Sequence, residues 1–148
     1  MTTTYSTTTS GRAGFPLRTF FVPFAFVCFT LTLLTDIAYW RTSFMMWHNF
    51  SAWLLFAGLV FGGIGLLAGA IDMLRRSTRI WGPGWGAALG YIVMLAFGVL
   101  NSFVHAGDGW TAIVPMGILL STITVILAIF TVLLAARGRS RVIWSVER

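Results

Sequence analysis

The chain has 148 residues, of which 57% are hydrophobic and only 9% are charged. Soluble domains carry about 25% charged residues, so the composition excludes a soluble globular protein and leaves no room for a soluble catalytic domain. The formal net charge of +6 does not indicate nucleic-acid binding, because the arginines lie in short segments between apolar runs, where membrane topology explains them.

Four apolar runs predict an all-α, integral membrane four-helix bundle in an up-down-up-down arrangement. Each run is long enough to cross the ~30 Å hydrocarbon core of a bilayer as a helix. We predict helices at about 19–39, 51–72, 87–105 and 113–136, within one domain that covers residues 15–136. Residues 1–14 predict a flexible polar tail because they are rich in Thr and Ser, and residues 137–148 predict a basic cytoplasmic tail.

The first predicted helix has a polar flank. Thr32, Thr35, Asp36 and Tyr39 share this flank with the single cysteine, Cys28, and polar groups in a membrane helix are expected to face protein. Cys28 has no partner for a disulfide or a thiolate metal site, so it is interpreted as a small apolar side chain.

Small residues form a stripe on the second and fourth helices. Two successive G-x-x-x-G steps in the second helix predict close approach of another helix backbone, since small residues allow close packing in lipid. The predicted packing residues are Gly58, Gly62, Gly65 and Gly69 in the second helix, and Gly117, Ser121, Thr124 and Ala128 in the fourth.

The arginines predict the orientation. Only Arg41 lies on the side of the turns at 40–50 and 106–110, against nine arginines on the other side, including those of the loop at 75–79. Cytoplasmic segments carry the arginine excess, so both termini are predicted to be cytoplasmic and the protein to be a multi-pass protein of the bacterial inner membrane.

Polar residues near the outer ends of the helices predict a cluster. Its predicted members are Asp36, His48, Asn101, His105 and Asp108. Intramembrane ionisable residues are functional candidates, and His48 and His105 could bind haem b or the head group of a quinone. Two histidines without a second pair or a short His-x-His spacing are also compatible with hydrogen bonding alone, which we favour, so we predict no metal site and no resident cofactor.

The carboxylates do not predict catalysis. Asp36 and Asp72 lie at opposite membrane faces and cannot act together as an acid–base pair, while Arg75 and Arg76 follow Asp72 at helical ion-pair spacing. The sequence contains no phosphate-binding glycine loop, no G-x-S-x-G and no Cys-x-x-Cys. We therefore predict that the protein is not an enzyme.

Several segments together carry a family resemblance: Pro16 to Arg18, Leu34 to Ile37, Trp53 to Leu55, Gly69 to Asp72 and, most specifically, Asn101 to Pro115. They resemble a family of small four-helix bacterial inner-membrane proteins with a predicted membrane domain of unknown function, over roughly residues 15–136. Some members are encoded near pyrroloquinoline-quinone-dependent sugar dehydrogenases and c-type cytochromes. The resemblance implies an accessory role at the outer face, with a periplasmic dehydrogenase or a cytochrome c as candidate partner.

Two main functions remain open. The first is a non-enzymatic accessory or anchoring subunit, whose Gly58 to Gly69 stripe packs against partner helices or a second copy of the chain. The alternative is an electron-transfer membrane subunit that binds haem b or a quinone near His48 and His105 and serves a periplasmic dehydrogenase. A transporter is disfavoured because four helices without inverted repeats rarely form a pathway alone.

Overall fold

The computed structural model describes residues 16–75, 84–107 and 113–146, with side chains as far as residue 137. These ranges contain helices and no strand, and four segments are long and apolar enough to cross a membrane. This confirms the prediction of an all-α protein with four membrane-spanning helices. The helices are α1 (Arg18–Thr42), α2 (Met45–Leu74), α3 (Trp85–Ala106) and α4 (Ile118–Val146), with a π-helical turn (Ile113–Gly117) directly before α4.

The first connection is shorter than the turn predicted at 40–50. Only Ser43 and Phe44 separate α1 from α2. Ser43 has a left-handed backbone (φ 54°), and its N–H donates to the carbonyl of Tyr39 at 2.7 Å. A left-handed residue of this kind ends a helix, so α1 stops there rather than where its apolar run stops.

The fourth helix also differs from its predicted bounds. Val114 has an extended backbone (φ −115°, ψ 116°), the Val114–Pro115 peptide bond is cis, and the regular helix begins only at Ile118. At its other end α4 continues to Val146, past the predicted limit at residue 136. Arginine is a good helix former, so the helix continues where the apolar run has already ended.

Hydrogen bonds show how the helices are arranged. The carboxylate of Asp72, near the end of α2, accepts the backbone N–H groups of Leu17 and Arg18 at the start of α1, at 3.2 and 3.1 Å. At the other end of the same pair, the hydroxyl groups of Thr35 and Ser51 are 2.8 Å apart. These two contacts make α1 and α2 antiparallel, and the most extensive packing is within the pairs α1/α2 and α3/α4.

The centre of the bundle is apolar and is built around Phe29. This ring is 1% exposed and lies against glycines of two neighbouring helices. A Cβ added at Gly58 of α2 would come within 2.8 Å of the ring, and one at Gly98 of α3 within 2.9 Å. The surrounding core consists of Ala25, Leu55, Tyr91, Met94, Leu95 and Ala128.

The glycine stripe of α2 is occupied by side chains of the same chain. A Cβ at Gly62 would collide with Leu95, and one at Gly65 would lie 2.9 Å from the hydroxyl of Tyr91, which itself donates to the carbonyl of Gly62 at 3.1 Å. Gly69 differs from the other predicted packing glycines, because a Cβ there would meet nothing within 4 Å. The close-packed stripe therefore runs from Gly58 to Gly65 and is filled from α1 and α3.

The small residues of α4 face the inside of the bundle as well. Ser121, Thr124 and Ala128 are buried, and a Cβ at Gly117 would lie 3.1 Å from the ring of His105. Thr124 satisfies its hydroxyl within its own helix, by donating to the carbonyl of Leu120 at 2.7 Å. The stripe thus lets α4 approach α3 without leaving an unpaired hydroxyl at Thr124.

Two polar layers bracket this apolar core. One contains Asp72 and the start of α1, and the other contains Asp36 and its neighbours. At a helical rise of 1.5 Å per residue, Asp36 lies about 27 Å along α1 from Arg18. Between the layers, large apolar side chains point outward, where a membrane protein contacts lipid; they include Phe24, Val27, Phe56, Val60, Ile92 and Ile126.

Candidate functional site

Four polar side chains are buried together near the ends of α1 and α3 and the start of α4. They are Asp36, Asn101, His105 and Ser121, each at most 4% exposed. We call these four residues the polar cluster. Burial of this kind in a membrane protein is costly unless the groups bind each other, so their geometry decides what they can do.

Asp36 accepts two hydrogen bonds from two different helices. Its Oδ1 lies 2.9 Å from Nε2 of His105, and its Oδ2 accepts the hydroxyl of Ser121 at 2.5 Å. The same hydroxyl accepts the side-chain N–H of Asn101 at 2.7 Å. Nδ1 of His105 lies 3.0 Å from the backbone carbonyl of Asn101. The donors and acceptors therefore form a closed circuit that joins α1, α3 and α4.

The circuit determines how many protons the His105–Asp36 pair shares. Both ring nitrogens of His105 face oxygen atoms, so Nδ1 donates to the carbonyl and one further proton lies between Nε2 and Oδ1 of Asp36. The pair is neutral overall whichever of these two atoms carries that proton. An overall neutral pair avoids the large cost of a single uncompensated charge inside the bilayer.

Local sequence spacing builds this arrangement. Asn101 and His105 are four residues apart, so they lie on one face of α3, one turn from each other. Gly117 lies opposite, where its missing side chain leaves space for the His105 ring. Ser121 is four residues further along and meets Asn101 and Asp36 from α4.

His48 of α2 lies next to the polar cluster without a hydrogen bond to it. Its ring is nearly parallel to that of His105, with an interplanar angle of 17° and a centroid distance of 6.1 Å, and Tyr39 flanks it from α1 at 6.1 Å. Nδ1 of His48 and Oδ1 of Asn101 are both buried and have no hydrogen-bond partner among the described residues. These two atoms are the unsatisfied polar atoms of the site.

The structure therefore brings together Asp36, His48, Asn101 and His105, whereas Asp108 lies outside the described residues. Ser121 was predicted as a packing residue and is also a direct hydrogen-bond partner of Asp36. A serine in a stripe of small residues gives no sign of this second role. With the predicted start of the fourth helix at residue 113, Ser121 would lie about two turns into it, so its predicted level gave no clear signal either.

Haem ligation by both histidines does not fit this geometry. An axial ligand needs a ring nitrogen with an available lone pair, and both nitrogens of His105 already face protein oxygens. The described residues also contain no group of three or more His, Cys, Asp or Glu side chains that could hold a metal ion.

Asp72 at the opposite end has a structural contact that its sequence context did not predict. The residue before α1, Leu17, provides no side-chain cap, and the carboxylate of Asp72 binds the free N–H groups there instead. A negative charge at a helix N-terminus is favourable. Of the two arginines predicted to pair with Asp72, Arg76 lies outside the described residues.

Residues 14–142 match the model of a family described as predicted membrane protein (DUF2231). The chain belongs to this family. Four helices that are able to span a membrane agree with the family's description, and with the resemblance that the sequence motifs indicated. No curated protein and no solved structure gives a significant match to the chain. The family indicates a membrane protein, and a function has to follow from the geometry of the polar cluster and its surroundings.

Proposed function

We propose that this protein is a non-enzymatic accessory or anchoring subunit of the bacterial inner membrane. The main support is the closed circuit of the polar cluster. Asp36 accepts donors from both His105 and Ser121, so its carboxylate holds helices together instead of presenting a reactive group. Interhelical hydrogen bonds are a recognised source of cohesion between helices in lipid.

The surface for a partner lies outside the glycine stripe, because the stripe is filled from within the chain. The corner between α1 and α2, residues 37–50, extends beyond the polar cluster by up to about 9 Å, at 1.5 Å per residue. Its exposed side chains are large and apolar: Trp40, Phe44, Met45, Met46 and Phe50. Aromatic and methionine side chains are enriched in protein interfaces, and an exposed apolar patch suits a partner helix or a partner domain.

The arginine distribution supports the orientation of this corner. Nine of the ten arginines lie on the Asp72 side of the chain or in the two tails, which puts the termini in the cytoplasm and the corner at the outer face. The family resemblance favours the bacterial inner membrane. A periplasmic dehydrogenase or a cytochrome c would meet the corner from the outside, and partner membrane helices or a second copy would meet the lipid-facing surface.

The alternative function, an electron-transfer subunit, has one observation in its favour. Nδ1 of His48 is buried without a partner in the described part of the chain, and a quinone carbonyl could accept a hydrogen bond from it. Haem is less well supported, since His105 has no nitrogen to offer in this arrangement.

Photo-crosslinking in intact cells tests the proposal. A photoreactive amino acid is placed at Phe44 of the corner, at Val60 on the lipid-facing side of α2, and at Met94, which is 0% exposed and serves as the buried control. We expect a polypeptide adduct from Phe44 or Val60 and none from Met94, with the position of the adduct locating the contact. Absence of a polypeptide adduct at both exposed sites would contradict an accessory role.

A difference spectrum separates the two functions. Reduced-minus-oxidised spectra of the protein purified in mild detergent should show no haem bands, and lipid extracts of the same sample should contain no stoichiometric quinone. A haem band or a stoichiometric quinone would support the electron-transfer alternative and overturn the proposed function.

A further inference from the structure

We infer that the protonation state of His48 controls whether the first turn of α2 stays packed. As a neutral ring, His48 holds the first turn of α2 beside the polar cluster, and uptake of a proton releases that turn. The inference goes beyond the accessory role, because it concerns how the α1–α2 corner responds to pH whatever it binds.

The two histidines lie at opposite ends of their helices. His105 is in the last turn of α3, where a positive charge is favourable, and both of its ring nitrogens are bonded. His48 is the fourth residue of α2, close to the helix N-terminus, where a positive charge is unfavourable. An imidazole therefore has both nitrogens bonded at the position of His105, whereas a positively charged imidazole is unfavourable at the position of His48.

The lack of a hydrogen-bond partner at Nδ1 of His48 also disfavours the protonated ring. A neutral imidazole can leave Nδ1 as a bare lone pair, whereas the protonated ring carries an N–H at both nitrogens. Nδ1 of His48 is buried with no acceptor within the described residues, and burying a donor without an acceptor is costly. The protonated ring can gain an acceptor by turning out to water, which breaks its parallel contact with His105.

Among the described residues, Asp36 is the carboxylate that faces His48, and it is already engaged with other donors. α1 contributes Tyr39 and Asp36, and α3 contributes His105, while the described part of α4 carries no titratable side chain before Arg137. Both oxygens of Asp36 are already occupied by donors. Counting the described residues, a proton on His48 thus adds a net charge to the pair formed by His105 and Asp36, which is otherwise neutral.

The first turn of α2 is built so that it can open. Phe44, the residue before α2, gives no side-chain cap, and Ser43 has the left-handed backbone (φ 54°) that non-glycine residues adopt at a cost. One turn beyond His48, the contact between Ser51 and Thr35 at 2.8 Å ties α2 to α1 again. Opening is therefore confined to residues 43–50 and leaves the rest of α2 in place.

Nitrogen NMR of the full chain in lipid nanodiscs provides a direct test, because the chain has only two histidines. With 15N-labelled histidine, the spectrum of His48→Phe assigns the remaining ring to His105. Between pH 8 and pH 5 we expect the His48 ring to change from one to two protonated nitrogens. A His48 ring that does not titrate in this range would overturn the inference.

Hydrogen–deuterium exchange then tests the release. After correction for intrinsic exchange rates, amides of residues 43–50 should exchange roughly two- to fivefold faster at pH 5 than at pH 8, the factor expected from a cation at a helix N-terminus. His48→Phe keeps a ring in the same place, and His48→Gln keeps a polar side chain, but neither takes up a proton, so both should lose this pH dependence. The inference would be contradicted if both variants kept the pH dependence of amide exchange. It would also be contradicted if the parent protein showed no such dependence while His48 titrates.

Discussion

Replacing Asp36 with alanine tests whether the polar cluster holds the bundle together. Asp36 is 0% exposed and pairs with His105 and Ser121, whereas an alanine has no oxygen and leaves both partners without their contact to α1. Interhelical hydrogen bonds in membrane proteins contribute about 0.6 kcal/mol on average and up to about 1.7, and a buried donor left unpaired costs about 1–3 kcal/mol. We therefore expect Asp36→Ala to lower the free energy of unfolding by about 2–4 kcal/mol.

The measurement is the free energy of unfolding in mild detergent, from reversible denaturant titration followed by circular dichroism. A double-mutant cycle with His105→Gln isolates the pair, and we expect the double variant to lose less than the sum of the single variants by about 1 kcal/mol or more. Thr30→Val is the matched control. Thr30 is exposed, and its hydroxyl donates to the carbonyl of Phe26 in its own helix. A loss below about 0.5 kcal/mol for Asp36→Ala, or full additivity in the cycle, would refute the cohesive role.

Three further predictions follow from the packing and the charges. Gly58→Leu should lower the free energy of unfolding by about 1–3 kcal/mol through overpacking. Gly69→Leu, where a Cβ meets nothing within 4 Å, should change it by less than about 0.5 kcal/mol. Equal effects of the two variants would contradict the assigned packing. Tyr91→Phe removes the bond to the Gly62 carbonyl and should cost about 0.6 kcal/mol in the same titration, so an unchanged stability would show that this bond contributes nothing. A cysteine at Ser43 should react with an impermeant thiol reagent on intact cells and a cysteine at Ser77 should not; the reverse labelling would invert the orientation.

The number of helices and their burial followed from the sequence because hydrophobic length and helical spacing are local properties. The positions of the helix ends did not, since hydropathy reports the bilayer and not the backbone hydrogen bonds. Ser43 ends α1 through its left-handed backbone. A glycine at this position would have predicted such a backbone, whereas a serine does not. Similarly, Val114 and Pro115 delay the start of regular helix until Ile118.

The candidate site was predictable in its members but not in its connections. Helical spacing and arginine counting placed Asp36, His48 and His105 at the same end, because both depend on position along each helix. The partners of Asp36 depend on how α4 is rotated, and one sequence does not specify that rotation. Ser121 therefore appeared only as a small residue, and the filling of the α2 glycines by side chains of α1 and α3 could not be distinguished from docking of another chain.

The separation of about 27 Å between the two polar layers has a consequence for the choice of membrane. Buried hydrogen bonds fix this length within the bundle, so the protein cannot adapt to a thicker bilayer by stretching. Hydrophobic mismatch is relieved by tilting the helices or by thinning the lipid nearby, at a cost of fractions of a kcal/mol per ångström. The bundle should therefore be most stable in lipids whose hydrocarbon thickness is close to this length, and longer acyl chains should lower its stability even though no protein contact changes.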